Sequence, residues 1–215
     1  MKDLNLQLQV AQMAWMDKMA EFKDSFGCIQ MPVTPTLTQE YLNNCRVLAN
    51  RETLLHRMKS DGIAAEVGVQ TGRFSRSILN ICRPSKLHLI DLNLATFSIR
   101  EQFKVEIDRG IVQLHEGDSS SIIQAFPDGY FDFIYIDGDH SYEGVKRDIQ
   151  AAISKVNQRG FLLFNDYTYW SPVECMRYGV IQAVNELCIE GNWEIVYFAL
   201  EQHMYCDVAV RRMIS

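Results

Sequence analysis

The sequence predicts an α/β fold: a doubly wound, mostly parallel seven-stranded sheet with helices on both faces and a C-terminal antiparallel hairpin. Two observations predict it. From Gly62 onward, short apolar runs alternate with stretches of helical periodicity, which is typical of βαβ units and a parallel sheet. Near the end of the chain, the apolar runs 193–198 and 205–212 are joined by residues 199–204 alone. That connection is too short for a parallel crossover, so the two runs are expected to form a hairpin.

The composition sets limits on the class of protein. The 215 residues are 47% hydrophobic and 22% charged, a balance that excludes intrinsic disorder. No apolar run approaches the roughly 20 residues of a membrane-spanning helix. A net charge of −6 disfavours nucleic acid and anionic membranes as partners. The chain start lacks the apolar stretch of a signal peptide, and the six scattered cysteines include no CxxC pair, so we expect a cytoplasmic protein with reduced thiols.

The first 60 residues are predicted to form an N-terminal helical extension, a lid or a dimerisation element, ahead of a sheet domain over residues 61–215. Apolar residues recur at helical spacing in the first segment. They are Leu8, Trp15, Met19, Phe22 and Phe26. A Pro/Thr-rich stretch, 31–38, separates this segment from a second helix expected from Thr38 to Lys59. The stripe is expected to pack against the main domain or a second subunit, which leaves a homo-oligomer open.

In the sheet domain, acidic residues follow every predicted strand. Predicted strands cover residues 63–67, 86–91, 111–115, 131–137 and 161–164, and predicted helices cover residues 72–82, 96–109, a short stretch after 118, 142–156 and 172–190. The acids at or next to the strand ends are Glu66, Asp91, Asp118, Asp137 and Asp166. Because ligands of doubly wound sheets bind outside the carboxyl ends of the strands, this coincidence predicts a ligand site at that edge.

The loop after the first strand distinguishes two classes of cofactor. A dinucleotide requires the pattern G-x-G-x-x-G, and alignment on Gly68 places Gln70 and Arg73 where glycines are needed. The spacing present is G-x-x-x-G, ending at Gly72 and preceded by Glu66. It suits a phosphate-free ligand with a carboxylate, an ammonium and a sulfonium group. Backbone N–H groups at the start of the next helix can hold the carboxylate, and Glu66 can take part in holding the ammonium, directly or through water.

The next two strand ends can contact an adenosine. Asp91, followed by Leu92, can accept hydrogen bonds from both ribose hydroxyls, a feature of nucleotide-binding proteins in general. Asp118 and Ser119 can hydrogen-bond an adenine edge. Asp118 followed by three serines is also a good helix N-cap, and the two roles are compatible.

Taken in order, these motifs resemble those of class I S-adenosylmethionine-dependent methyltransferases. The residues that carry the resemblance are Glu66–Gly72, Asp91, Gly117-Asp118 and Asp137-Gly-Asp-His140 followed by Tyr142. The run 131–143 is similar to the branch with many small-molecule and sugar O-methyltransferases, and the resemblance covers roughly residues 62–212. Gln70 stands where many members have a second glycine, a departure that this branch tolerates.

The resemblance implies a Rossmann-like methyltransferase fold, S-adenosyl-L-methionine as the cofactor and a small-molecule acceptor methylated on a hydroxyl oxygen. The residues implied in cofactor binding are Glu66, Gly68, Gln70, Gly72, Asp91, Leu92, Asp118, Ser119 and Asp137. In-line transfer of the methyl group requires the protein chiefly to align the methyl donor with the acceptor.

The fourth and fifth predicted strands are neighbours in this topology, which brings Asp137, Asp139, His140, Asn165 and Asp166 into one region. Asp137, Asp166 and the Asn165 amide oxygen are ligands that suit Mg²⁺, and a metal-bound hydroxyl is more acidic. Metal-dependent O-methyltransferases of this fold have a similar set, although the order Asn165-Asp166 differs from some of them. The other interpretation is that Asp137 only touches the donor and His140 caps or packs.

Asp139 and His140 are both candidates for the general base. Histidine titrates closer to neutral pH, whereas Asp139 is the closer match to the base position of sugar-methylating relatives. Two further hypotheses stay open: a nicotinamide-dependent oxidoreductase on a similar sheet, which the missing glycines disfavour, and a non-catalytic ligand-binding module.

Overall fold

The structure, a computed structural model, describes residues 2–26 and 34–213. The helices are α1 (Lys2–Phe26), α2 (Arg51–Leu55), α3 (Arg73–Cys82), α4 (Ile99–Gln102), α5 (Lys104–Asp108), α6 (Ser119–Gln124), α7 (Tyr142–Ala152) and α8 (Val180–Gly191). The strands are β1 (Arg46–Leu48), β2 (Ile63–Val67), β3 (Lys86–Asp91), β4 (Val112–Glu116), β5 (Phe131–Ile136), β6 (Val156–Phe164), β7 (Trp170–Ser171), β8 (Met176–Arg177), β9 (Trp193–Ala199) and β10 (Asp207–Arg212).

The main sheet has the strand order β1-β9-β10-β6-β5-β2-β3-β4. Its strands run parallel except β10, which pairs antiparallel with both β6 and β9. The doubly wound α/β fold and the C-terminal hairpin predicted from the sequence are therefore confirmed. The described residues form eight strands in this sheet where seven were expected, because β1 adds a parallel edge strand beside β9.

The sheet is buried on both faces, as parallel sheets usually are. Strand β5 shows the reason in its sequence: Ile134 and Ile136 enter one apolar layer, while Phe133 and Tyr135 enter the layer on the opposite face. All four side chains are at most 4% exposed. Because alternate residues of a strand point to opposite faces, this continuous apolar run places β5 in the middle of the sheet.

The predicted helix from Thr38 to Lys59 is wrong. This segment forms a short 3₁₀ turn at Gln39–Leu42, then β1 and then α2. Helix α2 begins at residue 51 because the Asn50 side chain caps it, accepting a hydrogen bond from the Thr53 backbone N–H.

The chain divides into two compact units between Thr34 and Pro35, whereas the sequence placed the boundary at residue 60. Residues 46–55 lie in the second unit, since β1 pairs with β9. In the first unit, α1 exposes Leu8 and Trp15. The side chains of Phe22 and Phe26, and residues 31–33 of the Pro/Thr-rich stretch, lie outside the described residues.

Two further predicted helices differ in extent. The helix expected over 96–109 is split into α4 and α5 at Phe103, whose fully buried side chain and non-helical backbone interrupt it. The first part of the helix expected over 172–190 is instead a small hairpin, β7–β8, that precedes α8. Within the described part of the chain, no helix is long and apolar enough to cross a membrane.

Candidate functional site

The loop after β2, residues 68–72, is called the glycine loop here, and its backbone passes close to the loop after β5. Gly68 has φ +83°, a conformation that favours glycine, and donates its N–H to the Ile90 carbonyl oxygen at 2.9 Å. A Cβ atom on Gly68 would lie 1.8 Å from the Asp137 carbonyl oxygen. The Asp137 N–H in turn bonds the Val67 carbonyl oxygen at 2.8 Å. This crossing fixes the end of β5 against the ends of β2 and β3.

A cleft of about 580 Å³ opens at this edge of the sheet. Of the residues predicted as site residues, the cleft is lined by Gly68, Gln70, Asp91, Leu92, Asp118, Ser119, Asp137, Asp139 and His140. An adjoining cavity of about 400 Å³ shares Gly68, Gln70 and Asp137 with the cleft and is also lined by Glu66. The acids at the carboxyl ends of β2, β3, β4 and β5 therefore line two adjoining cavities.

Asp91 holds the glycine loop in place. Its Oδ2 accepts hydrogen bonds from the N–H groups of Val69 at 2.7 Å and Gln70 at 3.0 Å, and its Oδ1 accepts one from Asn93 N–H at 2.9 Å. Gln70 has φ +46°, a left-handed backbone conformation that glycine adopts more easily. The non-glycine residue at this position is therefore accommodated by hydrogen bonding to Asp91.

Asp118 is the N-cap of α6, as its serine-rich sequence context predicted. Its Oδ2 accepts hydrogen bonds from Ser121 N–H at 2.9 Å and from the Ser120 hydroxyl at 2.8 Å, and these bonds lower its pKa to about 2. The Ser119 hydroxyl donates to Asp148 Oδ1 at 2.6 Å. Both Asp118 and Ser119 line the cleft, so capping leaves them facing it.

Glu66 is almost fully buried, 1% exposed, and lines the smaller cavity. The Ser75 hydroxyl of α3 donates a hydrogen bond to Glu66 Oε2. Burial, with the nearby charge of Asp91, raises the pKa of the Glu66 carboxyl to about 8. At pH 7 this carboxyl is therefore mostly protonated in the free protein.

Asp137 and Asp207 belong to the same acidic network. Asp207 accepts hydrogen bonds from Tyr135 Oη at 2.8 Å and Asn165 Nδ2 at 3.1 Å, and it lies 3.4 Å from Arg51 Nη2. Burial raises the pKa of Asp207 to about 7 and that of Asp137 well above its ordinary value. Burial by itself lowers the pKa of Arg51, but the acidic groups around Arg51, which include Tyr135 and Asp207, raise that pKa overall.

His140 lies where three of the predicted site residues converge. Its Nε2 is 3.2 Å from Asn165 Oδ1, 3.5 Å from Asp137 Oδ1 and 3.7 Å from Asp166 Oδ2. The Asn165 amide donates through Nδ2 to Asp207, so its oxygen faces His140. In the neutral imidazole this arrangement assigns the proton to Nε2 and the lone pair to Nδ1.

The residues predicted as magnesium ligands, Asp137, Asn165 and Asp166, are thus brought together, with the His140 imidazole between them. Two carboxylates and one amide oxygen are chemically suited to Mg²⁺. Among residues 2–26 and 34–213, however, no group of three or more histidine, cysteine, aspartate or glutamate side chains is arranged to hold a metal ion. The oxygen atoms of these three residues therefore suit Mg²⁺ chemically. An ion bound to them would lie beside His140, because Nε2 of His140 faces the same oxygens.

Asp139 is more open than His140. Its side chain is 54% exposed, accepts a hydrogen bond from Ser141 N–H at 2.9 Å and lies 3.8 Å from Arg147 Nη2. The His140 side chain is only 14% exposed. Of the two candidate bases, His140 is therefore the more buried, and its Nε2 is the one held by neighbouring oxygens.

Gly72 lines neither cavity. Its φ is +75°, and the space in which a side chain would stand is occupied by Phe103 and Ile99, so its role in the structure is to let the start of α3 pack closely against these two side chains.

Three residues at the site were not predicted from the sequence. Arg51 lines the smaller cavity and Glu174 the larger, and Tyr178 stacks on His140. The one sequence feature that points to the position of Arg51 is Asn50, a favourable helix N-cap, which places Arg51 at the first position of a helix.

Comparison with known proteins points to one kind of domain. Residues 65–167 match the family model described as a methyltransferase domain. A 68-residue stretch is 37% identical to an uncharacterized protein of Acanthamoeba polyphaga mimivirus, covering 31% of this chain and 28% of that protein, so the match spans less than a third of the relative.

Solved structures share the fold at low sequence identity. The tRNA methyltransferase TrmK of B. subtilis matches with a TM-score of 0.56 and 12% identity, over 77% of this chain and 67% of that one. A SAM-dependent methyltransferase from Aquifex aeolicus matches with a TM-score of 0.54 and 15% identity, over 76% of this chain and 89% of that one. The fold is therefore the Rossmann-like methyltransferase fold expected from the sequence.

Proposed function

We propose that this chain, which matches a methyltransferase domain and has the corresponding fold, transfers a methyl group from S-adenosyl-L-methionine to a hydroxyl oxygen of a small molecule. The observation that carries the proposal is the continuous cleft in which Asp91, Asp118 and Asp137 surround the Gly68 crossing. The family match over residues 65–167 supports methylation independently of the geometry.

The two ends of the site suit the two ends of the cofactor. Leu92 is 76% exposed beside Asp91 and, with Asp118 and Ser119, offers an apolar surface and polar edges for an adenosine. Glu66, in the adjoining cavity, offers a carboxylate for an ammonium group. Asp137 lines both cavities and lies between these ends, where negative potential favours a sulfonium. Bound there, the cofactor supplies an electrophilic methyl group.

Deprotonation of the acceptor is assigned to His140. Nε2 faces Asn165, Asp137 and Asp166, which leaves Nδ1 as the acceptor of a proton. A histidinium formed by that transfer is stabilised by the two adjacent carboxyl groups. Asp139, the alternative base, is more hydrated and faces Arg147, which makes it the weaker candidate.

Mg²⁺ is a second route to the same deprotonation. Asp137, Asn165 and Asp166 would hold it, and their convergence within 3.7 Å of His140 Nε2 supports this candidate. The two routes differ in a simple measurement: EDTA would abolish a magnesium-dependent activity, with Mg²⁺ restoring it, whereas the histidine route is insensitive to chelator. Full activity in EDTA rejects the metal.

The alternatives from the sequence are not favoured. The Gln70 backbone bonds to Asp91, and residues 65–167 match a methyltransferase domain, which disfavours a nicotinamide site. For partners, we propose a small-molecule acceptor and neither nucleic acid nor membrane, supported by the net charge of −6. A cytoplasmic location and a homo-oligomer stay predictions.

Calorimetry with S-adenosylhomocysteine tests cofactor binding directly. Saturable binding is expected for the wild type and for Asp108→Ala, which removes an exposed acid on α5. Asp91→Ala and Glu66→Lys should abolish binding, because the first releases the glycine loop and the second puts a cation where the ammonium belongs. Equal affinity in all four proteins would overturn the proposed site. Transfer of a labelled methyl group to a panel of sugars, phenols and carboxylic acids then identifies the acceptor.

A further inference from the structure

The hairpin β7–β8 is joined to the loop that carries His140. After β8 the chain returns through Tyr178, whose N–H bonds the Tyr169 carbonyl oxygen at 3.0 Å, and Gly179, whose N–H bonds the His140 carbonyl oxygen at 2.8 Å. A Cβ atom on Gly179 would lie 2.2 Å from the Tyr142 backbone, so this segment lies directly against the His140 loop. The main chain thereby sets the position of Tyr178 beside His140.

The Tyr178 ring stacks on the His140 imidazole. Their centroids are 4.4 Å apart and the planes differ by 11°, while Tyr178 is 5% exposed. The stack fixes the plane of the imidazole, and the oxygens of Asp137, Asn165 and Asp166 fix the direction of Nε2 within that plane. Together these contacts leave the ring one orientation.

The Tyr178 hydroxyl makes a second connection. It donates a hydrogen bond at 2.7 Å to Oε2 of Glu174, which lies between β7 and β8 and lines the cleft with His140. Burial raises the pKa of Tyr178, so the phenol stays protonated and keeps donating. Ser171 supports the same turn, since its hydroxyl accepts a hydrogen bond from Glu174 N–H at 3.1 Å.

From these contacts we infer that Tyr178 is a positioning residue: it orients the imidazole of His140 by stacking and holds Glu174 at the same end of the cleft. The inference rests on the proposed function in one respect, that His140 takes the acceptor's proton. The orientation itself is a property of the free protein. It can therefore be tested without an acceptor.

The first test is nitrogen NMR of the His140 side chain at fixed pH, with His140→Gln to assign its signals. The wild type and Tyr178→Phe, which keeps the stacked ring, should show a protonated Nε2 and an unprotonated Nδ1. Tyr178→Leu removes the stack and should shift both signals toward the values of a mobile histidine. Tyr169→Leu, at a tyrosine just before the hairpin that is 37% exposed, is the matched control and should leave them unchanged.

The second test is a double-mutant cycle in the methyl-transfer assay. Tyr178→Leu should lower kcat by about 10- to 100-fold, the effect of a misplaced reacting group, while the Kd for S-adenosylhomocysteine stays within about twofold. In a His140→Gln background it should cause no further loss, because it acts through that residue. Additive losses, or unchanged His140 signals in folded Tyr178→Leu, overturn the inference. Full activity of His140→Gln alone rejects the proposed base, and the NMR result still decides the orientation.

Discussion

The pH dependence of cofactor binding follows from the buried state of Glu66. Its pKa of about 8 means that the free protein carries a proton on this carboxyl at neutral pH. Holding an ammonium group requires the carboxylate, so the proton must leave when the ligand binds. Affinity therefore rises as the pH rises toward 8, and it stops rising above that value.

The size of the effect comes from the protonated fraction. Between about pH 6 and pH 7, the Kd for S-adenosylhomocysteine should fall about ninefold, or about 1.3 kcal/mol, and about 0.9 proton should be released per ligand at pH 7. This range keeps the ligand's own amino group, with an ordinary pKa of roughly 8, in the charged form. Because S-adenosylhomocysteine has an uncharged sulfur, Asp137, which faces the sulfonium of the methyl donor, is not required to ionise for this ligand, and the slope reports on Glu66.

Isothermal titration calorimetry in buffers of different ionisation enthalpy measures both quantities. Glu66→Gln resembles the protonated carboxyl and keeps an oxygen for the Ser75 hydroxyl, so it should fold, bind more weakly and lose the part of the slope due to Glu66. Glu190→Gln, at an exposed acid of α8, should behave as the wild type. A wild-type Kd that is flat over this range, or a Glu66→Gln slope equal to that of the wild type, would refute the assigned role of Glu66.

Three other predictions concern the same network. Gly68→Ala should abolish S-adenosylhomocysteine binding and lower the Tm, because its Cβ would lie 1.8 Å from the Asp137 carbonyl oxygen; Gly110→Ala, where no atom lies within 4 Å, should bind normally. Asp207→Ala should reduce the free energy of unfolding by about 3–5 kcal/mol in denaturant titrations, since it leaves the buried Tyr135 hydroxyl and Asn165 amide without their acceptor and leaves Arg51 with Glu201 alone; a loss under 1 kcal/mol would contradict this. His140→Gln should lower kcat by about 10²- to 10⁴-fold with little change in cofactor affinity, and an unchanged kcat in radiolabel transfer would exclude it as the base.

Local sequence patterns were sufficient for the central part of the fold. The apolar run of β5 is buried on both faces, the short connection between β9 and β10 forces a hairpin, and Asp118 caps α6. Each of these features depends on residues close together in the chain. Each acid at a strand end is likewise adjacent in sequence to its own strand, and a parallel sheet then places all of those ends at one edge.

Other features depend on contacts between residues distant in the chain, which local sequence patterns do not specify. The apolar positions of residues 46–55 do not by themselves distinguish a strand from a helix, and β1 forms where it can pair with β9. Arg51 contacts Asp207, which is 156 residues away along the chain. Tyr178 stacks on His140 because of a hairpin in a segment whose sequence predicts a helix. The raised pKa of Glu66 likewise comes from burial, which side chains remote in sequence create. The sequence alone determined which chemical groups stand at the sheet edge, whereas packing decided their charge, orientation and partners, because these depend on desolvation and on neighbours from other elements.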